Sequence, residues 1–197
     1  MIRHESIEGY LQRLASGDPT PGGGATGALA VAEGAGLVSM AAHYSDRDDV
    51  SRRCGELIRD CLAVADEDER GFGAVAEAFG LPTGTDRQRA DRSRAIQEAL
   101  AEAVRPPEAI VDAAGRLLDA VEEVLTDGNP NTLSDVGTAL GCARAGLTAA
   151  VVTLLTNLAP LKDDALGAEL TAGIERADRL TARADALIAD VRRRLAG

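Results

Sequence analysis

The sequence predicts an all-α fold, an up-and-down bundle of about six helices, and three observations carry that expectation. Hydrophobic residues make up 45% of the 197-residue chain but aromatics only 2%, with no Trp, so the core must be built from Ala, Leu and Val. No stretch alternates apolar and polar positions with the Val, Ile, Thr and aromatic enrichment of a strand. Apolar positions recur instead at steps of three and four, between breaks rich in Gly, Pro, Asp and Asn: GDPTPGGG, SDRDD, GLPTGT, TDGNPN and APLKDD.

The segments read as residues 5–15, 24–44, 49–80, 86–125, 132–159 and 163–195, in one domain spanning 1–197. The first is amphipathic and lacks the apolar centre of a signal sequence. The second follows a Pro-bracketed triple glycine, Pro21-Gly22-Gly23-Gly24, and Glu33 is its one formal charge between Asp18 and Asp46. It has the length of a membrane span, but its Gly-rich start and Glu33 argue for a helix packed on all sides within a protein. His43 falls near its C-terminus, where a cation is favoured. The third carries the stripe Cys54, Ile58, Cys61, Ala65, Asp68, Phe72, Val75, Phe79, with Asp66, Glu67 and Glu69 off it. In the fourth, Pro106-Pro107 must kink the helix or split it in two. The fifth is apolar nearly all round. The last shows Leu166, Leu170, Ile174, Ala177, Leu180, Ala184, Leu187, Val191 and Leu195 on one face and charges on the others, so it belongs on the outside. Short connections make neighbours antiparallel. Two all-apolar helices exceed what such a bundle buries, so one of them is expected in a homodimer interface.

A net charge of −11 argues against nucleic acid and anionic membranes as partners. Lys162 is the sole lysine among 21 basic residues. Cys54, Cys61 and Cys142 have no metal-ligand spacing, and no metal or cofactor site is expected; Cys54 and Cys61, seven apart on one helix face, read as small buried hydrophobes in a reducing, cytoplasmic setting. A glycine turn that follows a helix rather than a strand is not a dinucleotide fingerprint.

Four polar positions break the pattern. Asp68 falls on an apolar seam, where desolvation disfavours its charge; it reads either as an inter-helix cap or as an acid–base group. Asp135 follows Thr132 at a helix start, as a capping box or as a functional carboxylate. Asn157 reads as a C-terminal cap or a site amide, and Gln97 as an exposed helix polar residue or a site amide. The PGGG turn feeding a helix leaves N–H groups aimed at one point, where an anion or carbonyl docks.

These motifs together resemble the cyclodeaminase family, which includes the C-terminal domain of formiminotransferase-cyclodeaminase and related methenyltetrahydrofolate cyclohydrolases. The matches are Pro21 to Gly24 with Ala25 for the family's Ser, Ser39-Met40, and Asp66, Asp68 and Phe72 of D-x-D-x-x-x-F. Arg92 with Ala95-Ile96-Gln97, Gly128-Asn129 with Ser134-Asp135, and Asn157-Leu158 complete the set. Two loops depart: Asp46-Arg47-Asp48-Asp49 stands where relatives carry a basic run, and Thr83 stands for Lys after Leu81-Pro82. Arg47, Arg52 and Arg53 are the residues that would compensate.

The resemblance implies a tetrahydrofolate derivative as substrate, with no further cofactor. The first reaction it implies is cyclisation of 5-formiminotetrahydrofolate to the 5,10-methenyl form with loss of ammonia. The alternatives are hydrolysis of the methenyl form to 10-formyl, or a divergent folate-binding dimer without catalysis. Asp68 would then shuttle protons and Asp135 would stabilise positive charge on the one-carbon unit. Pro21, Gly22, Gly23, Gly24, Ser39, Gln97, Asn129, Ser134 and Asn157 would position the substrate.

Overall fold

The computed structural model describes residues 1–197 and contains helices only. These are α1 (Ile7–Leu14), α2 (Gly23–His43), α3 (Asp48–Phe79), α4 (Asp86–Ala103), α5 (Arg105–Asp127), α6 (Leu133–Leu158) and α7 (Asp164–Ala196), with short 3₁₀ turns at Ile2–His4 and Pro130–Thr132. The fourth expected segment is thus two helices. Pro106 and Pro107 occupy the first turn of α5, where a missing N–H costs nothing, and the chain bends at Val104.

α2 lies at the centre, against α3, α5 and α6. Ala25, Val31, Ala35, Val38 and Ala41 are fully buried. Small residues let α6 approach it closely and antiparallel. A Cβ on Gly27 would lie 2.6 Å from the Ala149 Cβ, and one on Gly34 would lie 2.8 Å from Leu117 Cδ2 and 3.0 Å from the Cys142 Cβ. This seam explains the poverty in large side chains. By length and composition α2 and α6 each suffice to cross a membrane, but α2 is wrapped by its neighbours.

The turn from α2 to α3 closes with Asp46 at φ 53°, the Arg47 N–H reaching back to the Ala42 carbonyl at 2.9 Å. That is a Schellman closure with Asp in the position usually held by Gly. α7 lies outside as expected: Leu170, Ala177, Ala184 and Val191 of its stripe are buried, whereas Leu195 is exposed. A second small cluster, Val75, Ala78, Ile96, Leu100 and Ala103, joins the C-terminal half of α3 to α4.

The α3 stripe needs two corrections. Phe72 and Phe79 are exposed, because beyond Asp68 the helix runs past the start of α2 and packs on α4 through Val75 and Ala78. Asp66, expected off the seam, is only 3% exposed. The Arg3 guanidinium reaches it at 2.5 Å, and Ile2 is buried beside it. Burial alone would push the Asp66 carboxyl up; the Arg3 guanidinium and the Ile2 amide more than offset this and hold it below the usual carboxylate range.

Candidate functional site

Asp68 sits directly over the start of α2. Its Oδ2 accepts from the Ala25 N–H at 2.8 Å, and a Cβ on Gly24 would lie 2.0 Å from its Oδ1. Glycine at position 24 is therefore what lets the carboxylate seat on the helix end. The amides of Gly23 and Gly24 beside it make no hydrogen bond within the chain. Burial pushes the Asp68 carboxyl up; the Ala25 amide opposes this, and neighbouring Glu69 adds to it. Glu69 is itself held by Arg13 at 2.7 Å, and Arg13 also pairs with Glu5 on the chain before α1. Asp68 caps α2 from the neighbouring helix, and it is a half-buried carboxylate whose proton affinity burial raises.

From Thr26, one turn beyond Gly22, an apolar groove of about 530 Å³ runs between the 3₁₀ turn, α1, α2 and α3. Tyr10, Leu14, Leu29, Ile58 and Leu62 line it, with Glu5 and Glu33 at its edge. The Tyr10 hydroxyl meets Thr26 Oγ1 at 2.9 Å, and Thr26 donates to the Gly22 carbonyl at 2.9 Å. Pro21 is buried under this turn.

Gln97 and Asn157 lie toward the same end of the bundle, but their amides are engaged. Gln97 donates to the Pro160 carbonyl at 3.0 Å and accepts from the Lys162 N–H at 2.8 Å. Asn157 is buried and donates to the Ala103 carbonyl at 3.1 Å, so it joins α6 to the bend between α4 and α5 rather than capping its own helix. Both hold loops in place; Gln97 is engaged through both amide atoms, whereas Asn157 keeps its Oδ1 free of any partner within the chain.

Asn129, Ser134, Asp135 and Ser39 fall at the opposite end. The Asn129 N–H donates to Ser45 Oγ at 2.9 Å and its Nδ2 to the Tyr44 carbonyl at 3.3 Å, so this loop rests on the C-terminus of α2. Its Oδ1 accepts from the Asn131 N–H at 3.0 Å, which makes it a turn former rather than a donor–acceptor edge for a ligand. The expected capping box is absent, because the Thr132 hydroxyl donates to the Asn129 carbonyl instead. Asp135 is left half-buried in the first turn of α6 with no ion pair, and Ser134 is exposed next to it. The two clusters are separated by nearly the length of α2, about 30 Å at 1.5 Å per residue.

Ser39 meets Ser51 at 2.9 Å, and Ser51 meets His43 Nε2 at 2.9 Å. Ser51 carried no signal in the sequence, since it comes from the next helix. Arg47 and Arg53 are committed to Glu123, and Arg52 to Glu56, so none of the three stands in for the basic loop. Glu33 is exposed and has no basic partner. No group of three His, Cys, Asp or Glu side chains converges as a metal site.

The family model described as formiminotransferase-cyclodeaminase matches residues 6–176. A methenyltetrahydrofolate cyclohydrolase of Methylorubrum extorquens is 37% identical over 180 residues, 86% of each chain. The formimidoyltransferase-cyclodeaminase of Mus musculus is 31% identical over 170 residues, 81% of this chain and 31% of that longer protein. The crystal structure of formiminotetrahydrofolate cyclodeaminase from Thermotoga maritima superposes with a TM-score of 0.84 at 22% identity, covering 100% of this chain and 98% of that one. The glycine turn with Asp68 seated on it, the all-helical architecture and these matches place the chain in the formiminotransferase-cyclodeaminase family.

Proposed function

We propose that the chain hydrolyses 5,10-methenyltetrahydrofolate to 10-formyltetrahydrofolate, at a site that two copies build together. Asp68 is the observation that carries this reading. The methenyl substrate is a cation; water adds to its one-carbon centre, the C–N5 bond breaks, and protons must move between oxygen and nitrogen. A half-buried carboxylate with raised proton affinity, seated beside two free backbone amides, suits that transfer. The apolar groove leading from Thr26 suits the aryl ring. The choice of hydrolysis leans on the Methylorubrum cyclohydrolase, which matches this chain over 86% of both lengths. Cyclisation of 5-formiminotetrahydrofolate, with N10 attacking and ammonia leaving, is the second reading. The likeness to the cyclodeaminase of Mus musculus favours it.

The separation of the clusters supports a shared site. Asp135 lies at the far end of α2 from Asp68, so one copy does not bring both carboxylates to one ligand. Toward the Asp68 end α6 exposes Val152 and Leu155, and toward the Asp135 end α2 exposes Met40, with exposed Tyr44 just after it. A second copy on this face, related by a twofold across the helix axes, lays one Asp68 end over the other Asp135 end.

Following methenyl absorbance with purified protein tests the reaction. Saturable decay above the buffer blank supports hydrolysis; blank-rate decay with turnover of the 5-formimino substrate moves the assignment to the cyclodeaminase. Mixing Asp68→Asn and Asp135→Asn proteins tests the sharing. Mixed dimers regain one intact site, so activity returns to about a quarter of wild type; no recovery rejects the shared site.

A further inference from the structure

Most hydroxyls inside the helices bond within their own helix, and two serines do not. Ser45 donates to the carbonyl four residues back, as do Thr138, Thr148, Thr153, Thr156, Thr171 and Thr181. Ser39 and Ser51 instead bond to each other across the α2–α3 contact, and Ser51 continues to His43 Nε2, each step 2.9 Å. His43 is exposed, Ser51 is 8% exposed, and Ser39 is half-buried one turn back along α2. The result is a continuous hydrogen-bonded line from exposed His43 through buried Ser51 to half-buried Ser39 on α2.

The Ser39 end of that line lies at the level of Asp135 along the bundle. Gly34 faces Ala139 and Cys142 in the antiparallel α2–α6 pair. Five residues further along α2 and four to seven back along α6, Ser39 and Asp135 share one height. Hydration of a methenyl carbon releases one proton per turnover: water's oxygen bonds to carbon, one water proton leaves, and the other moves to N5 as the C–N5 pair returns to nitrogen. That first proton needs a route out.

Resting on the hydrolase reading, we propose that Ser39, Ser51 and His43 form the relay that carries this proton to solvent. Each serine has one donor and free lone pairs, so it passes a proton while receiving one. The water proton goes to Ser39 Oγ, the Ser39 proton to Ser51 Oγ, and the Ser51 proton to His43 Nε2. The exposed imidazolium then loses a proton to water and resets. His43 and Ser51 act through Ser39 and are positioning residues.

The test is chemical rescue in the full chain. In His43→Ala, kcat falls at least about tenfold with KM little changed, and added imidazole restores it. Ser51→Ala loses as much and is not restored, because the middle link is missing; wild type ignores imidazole. Unchanged kcat in both variants overturns the relay, as does a loss in His43→Ala that imidazole leaves untouched or a rescue of Ser51→Ala. Wild type without hydrolase activity overturns the underlying assignment instead. The hydrogen-bonded line has its own readout: the His43 imidazole ¹⁵N resonances shift in Ser51→Ala, and unmoved resonances refute the line whatever the substrate.

Discussion

Substituting Gly24 by Ala reads the seat of Asp68 directly. A Cβ there would lie 2.0 Å from Asp68 Oδ1 and 2.5 Å from its Cγ, so the carboxylate must leave the helix end and give up its 2.8 Å bond to the Ala25 amide. A hydrogen bond to a charged acceptor contributes about 1.5–3 kcal/mol. Against this, Ala in place of Gly gains about 0.5–1 kcal/mol in a helix. The net loss is about 1–2 kcal/mol. Gly23 is the internal control, since a Cβ on it meets nothing within 4 Å and brings only the gain. The two variants therefore separate by about 2 kcal/mol, or about 4–8 °C in Tm for a chain of this size. Turnover of the Gly24→Ala protein falls with the displaced carboxylate, while Gly23→Ala keeps it. In an Asp68→Ala background the Gly24 substitution costs nothing further. Equal melting temperatures for the two glycine variants, or an undiminished Gly24→Ala cost without Asp68, refute the geometry.

Arg3→Ala leaves Asp66 buried and unpaired; because Arg3 is partly exposed the loss is about 2–3 kcal/mol, and calorimetry at neutral pH reads it. The folded Asp66 carboxyl is depressed, so this pair stabilises above the unfolded carboxylate range, and the deficit of Arg3→Ala shrinks as pH falls through the folded value. Asp68 has the opposite sign: its folded proton affinity is raised, so its ionisation destabilises the native state as pH climbs. Asp68→Asn is therefore more stable than wild type at neutral pH, loses that advantage in acid, and turns over at least about a hundredfold more slowly. With a net charge of −11 and Arg47, Arg52 and Arg53 tied to glutamates, the surface repels an anionic folate tail. Added salt should thus lower KM; a KM that rises with salt shows a cationic tail site.

The helices were legible because small and aliphatic residues repeat at helical spacing, and because the breaks carry Gly, Pro and Asn. Pro106-Pro107 announced a kink or a break, because proline in a helix interior forces one or the other, and the chain takes the break between α4 and α5. What misled was the length of the α3 stripe. Apolar spacing shows that a helix has a face, not how far a partner runs along it. α3 spans 32 residues against 21 for α2, so Phe72 and Phe79 outrun the cover that spacing implied. Asp66 hid for a related reason: its partner Arg3 lies 63 residues away, on a 3₁₀ turn with no pattern of its own.

The polar residues show a sharper limit. Asp68 was found from sequence because a carboxylate on an apolar seam is a local contradiction. Asn129, Asn157 and Gln97 stood out just as clearly, yet Asn129 and Gln97 spend both amide atoms, and Asn157 its Nδ2, on backbone groups of the chain itself. A buried polar side chain must be paired, and a loop carbonyl satisfies that demand as well as a ligand does. Motif spacing cannot tell these apart; only the free hydrogen-bonding capacity left after folding can. By that measure the Gly23 and Gly24 amides, Asp68, Asp135 and the Asn157 Oδ1 remain open among the candidate residues, and they lie toward the two ends of α2; the buried Asp66 Oδ1 is also without a partner. An antiparallel pair of helices fixes that separation in each copy. The route to one site is therefore a twofold that reverses α2 between copies, and complementation between Asp68→Asn and Asp135→Asn decides whether it is taken.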